Sequence, residues 1–179
     1  QSGSTEVLKR MRRTYNRERY LDRVSLIREH VPDCAITTDI IAGFPGETAE
    51  DFAQTLYVAE QVGYDGAFTF AYSPRRGTEA ASLPDQVPHE VKVQRLELLV
   101  EVIQRHAHER AQRFVGRELD VLVEGPSRTD PGRLRGRTTH NKVVNFDGLA
   151  APGELVGVDI TGATSQTLSG HESILSRAA

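Results

Sequence analysis

Apolar positions along the first two thirds of the chain alternate between helical and strand spacing. Val7, Leu8 and Met11 share one side of a short helix that Ser4 is placed to cap. Tyr20, Val24 and Ile27 form a second helical stripe, capped by Asn16 and ended near His30, because Pro32 disfavours helix just before it. The β-branched run at 35–43 reads as a buried strand of parallel type. Pro45-Gly46 then marks a turn, Thr48-x-x-Asp51 a helix start, and Phe52, Leu56 and Ala59 a helical stripe that Gly63 can stop. Residues 66–72 alternate Phe68, Phe70 and Tyr72 as a strand does. After a loop, Leu96, Leu99, Val100, Ile103 and Ala107 stripe the longest helix, from about 89 to 114.

Strand, helix, strand, helix with short connections predicts βαβ units and a parallel sheet. Two strands cannot close a barrel, so further strands are expected upstream of Gln1, and the chain reads as a fragment. After Gly116 helical spacing gives way to short strand candidates, ELDVLVE, RLRGRT, KVVNF and ELVGVDITGA, punctuated by Gly and Pro. That pattern predicts a small antiparallel barrel. The expected division is 1–114 for the α/β part and 115–179 for the all-β part.

Composition narrows the function classes. The 179 residues carry 22 Lys and Arg against 25 Asp and Glu, a net charge of −3, so any nucleic-acid site must be a local patch. No apolar run approaches the roughly 20 residues of a membrane helix, and QSGSTEV has neither the basic nor the apolar segment of a secretory leader. A cytoplasmic chain with no membrane partner is the expectation. The single cysteine, Cys34, excludes an internal disulfide and any multi-cysteine metal site within the chain. His106 and His108 lack the i, i+4 spacing of two ligands on one helical face, so no metal site is expected.

Four segments carry candidate chemistry. In TTDIIAGFPGET, Asp39 lies in the strand and Gly43, Gly46 and Glu47 at its carboxyl end, where α/β folds place ligands. The alternative is a tight turn with Asp39 satisfied by backbone and Glu47 on the surface. In YSPRRGT, Tyr72 ends a strand and Arg75 and Arg76 follow, suited to a carboxylate or phosphate or simply to a solvated loop. Gln1, Ser2 and Ser4 precede a helix start, where an anion or plain capping fits. Lys9, Arg10, Arg12, Arg13, Arg17, Arg19 and Arg23 crowd the first two helices, a solvated face or an RNA-facing one. In the barrel, Arg133, Arg135, Arg137, His140 and Lys142 crowd one hairpin; an RNA-gripping strand face or an ordinary exposed hairpin both fit. Phe146 is the sole aromatic after Phe114, so phosphate contacts rather than base stacking are expected to supply affinity there.

Taken in order, QSGSTEVLKRMRRTY, TTDIIAGFPGETAEDF, FTFAYSPRRGTEAA and QVPHEVKVQRLELL resemble the radical S-adenosylmethionine methylthiotransferases. The tail VLVEG…GRTTHNKVVNF…GELVGVDITGA…LSG resembles the RNA-binding TRAM barrel that ends those enzymes. The resemblance implies the last part of a radical SAM, partial TIM-type barrel followed by an OB-like TRAM barrel. QSGS, FAYSPR and GRTTHNKVV look most like the branch that adds a methylthio group to C2 of N6-isopentenyladenosine beside the tRNA anticodon. The branch acting on a ribosomal protein usually reads QH at the start and carries an acidic pair where Arg75-Arg76 stand. The branch acting on threonylcarbamoyl-adenosine shares QSGS and stays open. A non-catalytic RNA-binding module is the rival class.

The family's C-x-x-x-C-x-x-C motif and its three N-terminal cluster cysteines are absent, and Cys34 matches neither. The resemblance therefore implies S-adenosylmethionine and two [4Fe-4S] clusters in a full-length enzyme, with the cluster ligands outside this chain. It implies tRNA, by its anticodon stem-loop, and the N-terminal portion of the same enzyme as partners of a monomer. By position, Gln1, Ser2 and Ser4 would lie near the cofactor's ribose and methionyl parts. Gly43 and Glu47, in a GxIxGxxE-like segment, would lie next to its adenine, and Arg13 and Arg75 would meet carboxylate or phosphate.

Overall fold

The computed structural model describes residues 1–173, which form two compact units, Gln1–His106 and 107–173. In the first, helix α1 (Thr5–Arg10) starts on the Ser4 hydroxyl, which accepts from the Val7 N–H at 3.3 Å. Helix α2 (Arg17–His30) starts on the Asn16 side chain, which accepts from the Arg19 N–H at 2.9 Å. Strand β1 (Thr37–Ala42) leads to helix α3 (Ala49–Val62), opened by a reciprocal capping box between Thr48 and Asp51. Strand β2 (Gly66–Ala71) pairs with β1 in parallel, Asp39 opposite Phe68 and Ile41 opposite Phe70. A single-turn helix α4 (Glu79–Ser82) interrupts the following loop, too short to leave a periodic signal. Helix α5 (His89–Ala111) begins in the first unit, ends in the second, and passes into a 3-10 turn, Gln112–Phe114.

One face of the two-stranded sheet is core. Ile40 and Ala42 pack with Val24 of α2, Phe52, Val58, Ala59 and Val62 of α3, and Leu99 and Ile103 of α5. The other face is open: Phe68 is 72% and Phe70 51% exposed, alongside exposed Thr37 and Asp39. The expected fully buried strand is thus buried on one side only. A parallel strand reads as apolar on both faces because both are normally covered, and among the described residues nothing covers this one.

The second unit is a closed five-strand barrel in the order β3 (Glu118–Pro126), β4 (Leu134–Thr138), β5 (Val143–Asp147), β7 (Thr167–Glu172), β6 (Leu155–Ala163). Strand β3 alternates strictly between exposed and buried positions, as expected. Purely antiparallel pairing fails at one place: β5 and β7 run parallel. A ring with an odd number of strands cannot alternate direction throughout, so at least one adjacent pair must run the same way. Strand β7 was absent from the sequence pattern because TLSGHE turns only Leu168 and Gly170 inward. Phe114, Val121, Val144, Phe146, Val158, Ile160 and Leu168 fill the core.

Candidate cofactor and nucleic-acid sites

The turn after β1 is held from the inside. The Gly43 N–H donates to Glu47 Oε1 at 2.9 Å, and Arg95 Nη1 of α5 donates to the same oxygen at 2.7 Å and to the Glu47 carbonyl at 3.1 Å. The Glu47 side chain has no exposed surface, so the alternative that put it on the surface is wrong. Burial pushes its carboxyl above the ordinary range, against the pull of the Gly43 N–H and Arg95. Its other oxygen, Oε2, is buried without a hydrogen-bond partner among the described residues.

Both glycines are closely approached, and protein side chains do it. Gly43 has φ +74°, and a Cβ there would lie 2.4 Å from Cγ of Lys92; at Gly46, φ +75°, it would lie 2.6 Å from Nη1 of Arg10. Lys92 is buried, donates its ammonium to the Tyr72 carbonyl at 3.2 Å, and lies 5.2 Å from the centroid of the Tyr72 ring. The Tyr72 ring in turn meets Phe44 edge-on at 5.2 Å, and its Oη is buried without a partner among the described residues. Neither Lys92 nor Arg95 stood out in the sequence, although both lie on the face of α5 that buries Leu99 and Ile103, at i, i+3, i+4 spacing.

At Gln1, Ser2 and Ser4 the side-chain oxygens are spent within the protein. Ser2 Oγ lies 3.2 Å from Thr55 Oγ1 and accepts from the Ser4 N–H at 3.2 Å. Ser4 Oγ caps α1 and donates to Asp51 Oδ1 at 2.5 Å. Gln1 Oε1 accepts from Tyr15 Oη at 2.8 Å, and Gln1 Nε2 is buried without a partner among the described residues. Asp39 lies exposed on the open sheet face. Arg75 is exposed in the loop after β2, where its carbonyl takes the Thr78 N–H at 3.1 Å and hydroxyl at 2.7 Å.

A cavity of about 780 Å³ opens at the carboxyl end of β1, with Ile41 and Phe44 as apolar lining and Arg10, Arg12 and Arg13 as cationic lining. Arg10 donates to the Gly46 carbonyl at 2.5 Å and Arg12 pairs with Glu79. The Arg13 side chain makes no hydrogen bond or ion pair among the described residues; its backbone N–H donates to the Leu8 carbonyl at 2.9 Å. The cavity thus joins an apolar surface to a cationic one, with Glu79 and Asp85 also in its lining.

The barrel hairpin is less bare than its sequence. Arg135 reaches Glu124 at 3.3 Å and Arg137 reaches it at 2.7 Å, while Arg133 pairs with Asp147 at 3.1 Å and donates to the Gly170 carbonyl at 3.1 Å. Arg137 also donates to Asn141 Oδ1 at 2.9 Å. His140 packs on Phe114, ring centroids 4.7 Å apart, and Lys142 is buried. The outward positions of β3 add Glu118 and Asp120 to Glu124. The structure therefore gathers Arg135 and Arg137 around one carboxylate, sets Arg133 on another, and folds His140 and Lys142 into the turn between β4 and β5. Phe114 and Phe146 are both buried in the barrel core.

Residues 1–57 match the model of the radical SAM superfamily and residues 112–171 that of the TRAM domain. The chain is similar to the tRNA-2-methylthio-N(6)-dimethylallyladenosine synthase of Clostridium botulinum strain Hall, with 50% identity over 173 residues, 96% of this chain and 38% of that protein. The proteins of the same name from Clostridium tetani and Moorella thermoacetica are 49% and 48% identical over 96% of this chain, and 38% and 39% of their own lengths. The chain thus spans about two fifths of the length of the relatives it matches. Among the described residues no helix is long and apolar enough to cross a membrane.

Proposed function

We propose, from the premise that this chain joins a radical SAM superfamily segment to a TRAM domain, that it is the C-terminal part of a cytoplasmic tRNA methylthiotransferase. The target is C2 of N6-dimethylallyladenosine next to the anticodon. One observation carries this reading: identity near 50% to synthases of that name runs through both units, over 96% of the chain.

S-adenosylmethionine fits the residues present. Buried Gln1 Nε2 and Tyr72 Oη are donors without partners among the described residues, and the neighbouring cavity offers Ile41 and Phe44 to a ring and Arg13 to a carboxylate. When bound, the cofactor supplies the methyl group and the hydrogen-abstracting fragment of the reaction. Gly43 and Glu47 shape the strand end, Ser2 and Ser4 fix the entry to α1, and Arg75 offers a cation in the loop after β2. Iron–sulfur clusters do not fit this chain. It has one cysteine, and among the described residues no three metal-binding side chains gather. The two [4Fe-4S] clusters are assigned to the N-terminal portion of the enzyme. The TRAM barrel is assigned to the anticodon stem-loop, with Arg133, Arg135 and Arg137 facing phosphates and His140 and Lys142 shaping the turn beside them.

The test is complementation. A bacterial strain lacking its own methylthiotransferase receives the full-length gene, and its tRNA nucleosides are measured by mass spectrometry. Restored 2-methylthio-N6-dimethylallyladenosine supports the reading. A methylthio group on threonylcarbamoyl-adenosine or on a ribosomal protein moves the protein to a sister branch. Binding of tRNA with no new modification makes it a non-catalytic module.

A further inference from the structure

We infer that Lys92 and Arg95 of α5 are positioning residues that hold the ends of β1 and β2 at a fixed separation around the candidate cofactor site. The inference rests on the reading that S-adenosylmethionine binds at those strand ends. The last backbone hydrogen bond between the two strands is from the Tyr72 N–H to the Ala42 carbonyl, at 2.8 Å. At the next residue, Gly43, the backbone turns to positive φ and the chains part. From there on, side chains of α5 make the connection. Lys92 touches both ends at once: its stem fills the space where Gly43 lacks a Cβ, and its ammonium rests on the Tyr72 carbonyl and near the Tyr72 ring. Arg95, one helical turn on, grips Glu47 at two oxygens, and one of these also receives the Gly43 N–H.

Both cations are largely shielded from water, the Arg95 side chain being 11% exposed. Charge-assisted hydrogen bonds in such a setting are strong and directional, and removing one partner strands the other. The direction of the Gly43 peptide and the tilt of the Tyr72 ring therefore follow from α5, a helix that adds no residue to the cavity lining. Outer groups that orient metal ligands change metal affinity by about 10- to 100-fold when removed, and a loss at the low end of that range is expected here.

The experiment measures S-adenosylhomocysteine binding by calorimetry on the full-length gene product, together with its thermal midpoint. K92M keeps the stem and removes the ammonium; R95Q removes the charge; R95K keeps it but loses the fork. The control, R28A, removes a guanidinium that donates to the Gly63 carbonyl at 3.1 Å, just before β2 at the opposite end of the strand. K92M and R95Q should weaken binding about tenfold and R95K about threefold, while R28A lowers the midpoint as much and leaves affinity unchanged. If R95Q does not fold, K92M and R95K decide. Affinity within twofold of wild type in K92M and R95K, or an equal loss in R28A, overturns the inference and leaves the cofactor reading standing. Absence of binding by the unsubstituted protein overturns the cofactor reading, and the inference with it.

Discussion

Arg137 places Nε 2.7 Å from one carboxylate oxygen of Glu124, and the other oxygen lies 3.3 Å from Arg135. In the proposed RNA role, a phosphate arriving at this hairpin has to displace an acid already in place, so the two arginines would bind RNA by exchange. Replacing the acid should release them. E124Q is expected to tighten binding of a tRNA anticodon stem-loop by up to about fivefold, since a part-exposed pair contributes about 1 kcal/mol at most. R135A with R137A should weaken binding equally for different sequences. It should also flatten the log–log salt dependence by roughly 0.7–0.9 per lost phosphate contact. Fluorescence anisotropy across a salt series measures both. Unchanged affinity and slope in E124Q and in the double variant, with losses instead in a variant lacking Arg17 and Arg19, would move the RNA site to the first two helices.

Much of this architecture was legible because it is local. Ser4, Asn16 and Thr48 each cap the helix they were expected to cap, since a cap needs only its own side chain and the next turn. Partners distant in sequence were not legible. Glu124 lies in ELDVLVE with nothing to mark it as the partner of arginines 11 and 13 residues away, and only the β3–β4 register brings them together. Lys92 and Arg95 were readable in principle, being in phase with Leu99 and Ile103, yet a charged pair at the start of a helix looks like surface. Strand β7 was lost because half of its inward positions are glycine.

Acid should uncouple the start of α1 from α3. Burial opposes ionisation of Asp51, but hydrogen bonds from Ser4 and Thr48 prevail and hold its carboxyl below the ordinary range. A depressed folded-state pKa means that the stabilisation is present above the unfolded value, about 3.8–3.9. It is lost as pH falls through the lower folded value. Thermal midpoints recorded from pH 6 down to pH 2.5 should fall less steeply for D51N than for wild type. S4A removes a cap as well as the hydrogen bond and should cost about 1 kcal/mol at pH 6. Parallel curves for wild type and D51N would show that the Ser4–Asp51 contact does not form in solution.

Iron should not bind stoichiometrically to the 179-residue chain. Clusters require several thiolates, and Cys34 stands alone. After anaerobic incubation with iron and sulfide, followed by desalting, the expected result is no thiolate–iron absorbance and far less than four irons per chain. A full complement of iron would show that ligands other than cysteine assemble here.

The two units should part under protease. The first contains a two-stranded sheet whose outer edges have no strand partner among the described residues and whose open face exposes Phe68 and Phe70. The second closes its strands into a ring, which leaves no edge to fray, around Phe114 and Phe146, both fully buried. Limited proteolysis of the 179-residue chain is expected to cut first within residues 1–106 and to leave a fragment beginning between residues 107 and 115. Phe146→Ala should destabilise the barrel by about 3–5 kcal/mol, a large share of a small domain's stability, so the surviving fragment should disappear at the same protease dose. Phe68→Ala, at a position 72% exposed in the chain, should change stability by no more than about 0.5 kcal/mol and leave the cleavage pattern as it was. Were the barrel digested first in wild type, its closed ring would not be an autonomous unit. Were Phe68→Ala as damaging as Phe146→Ala, the sheet face described as open would be covered in solution.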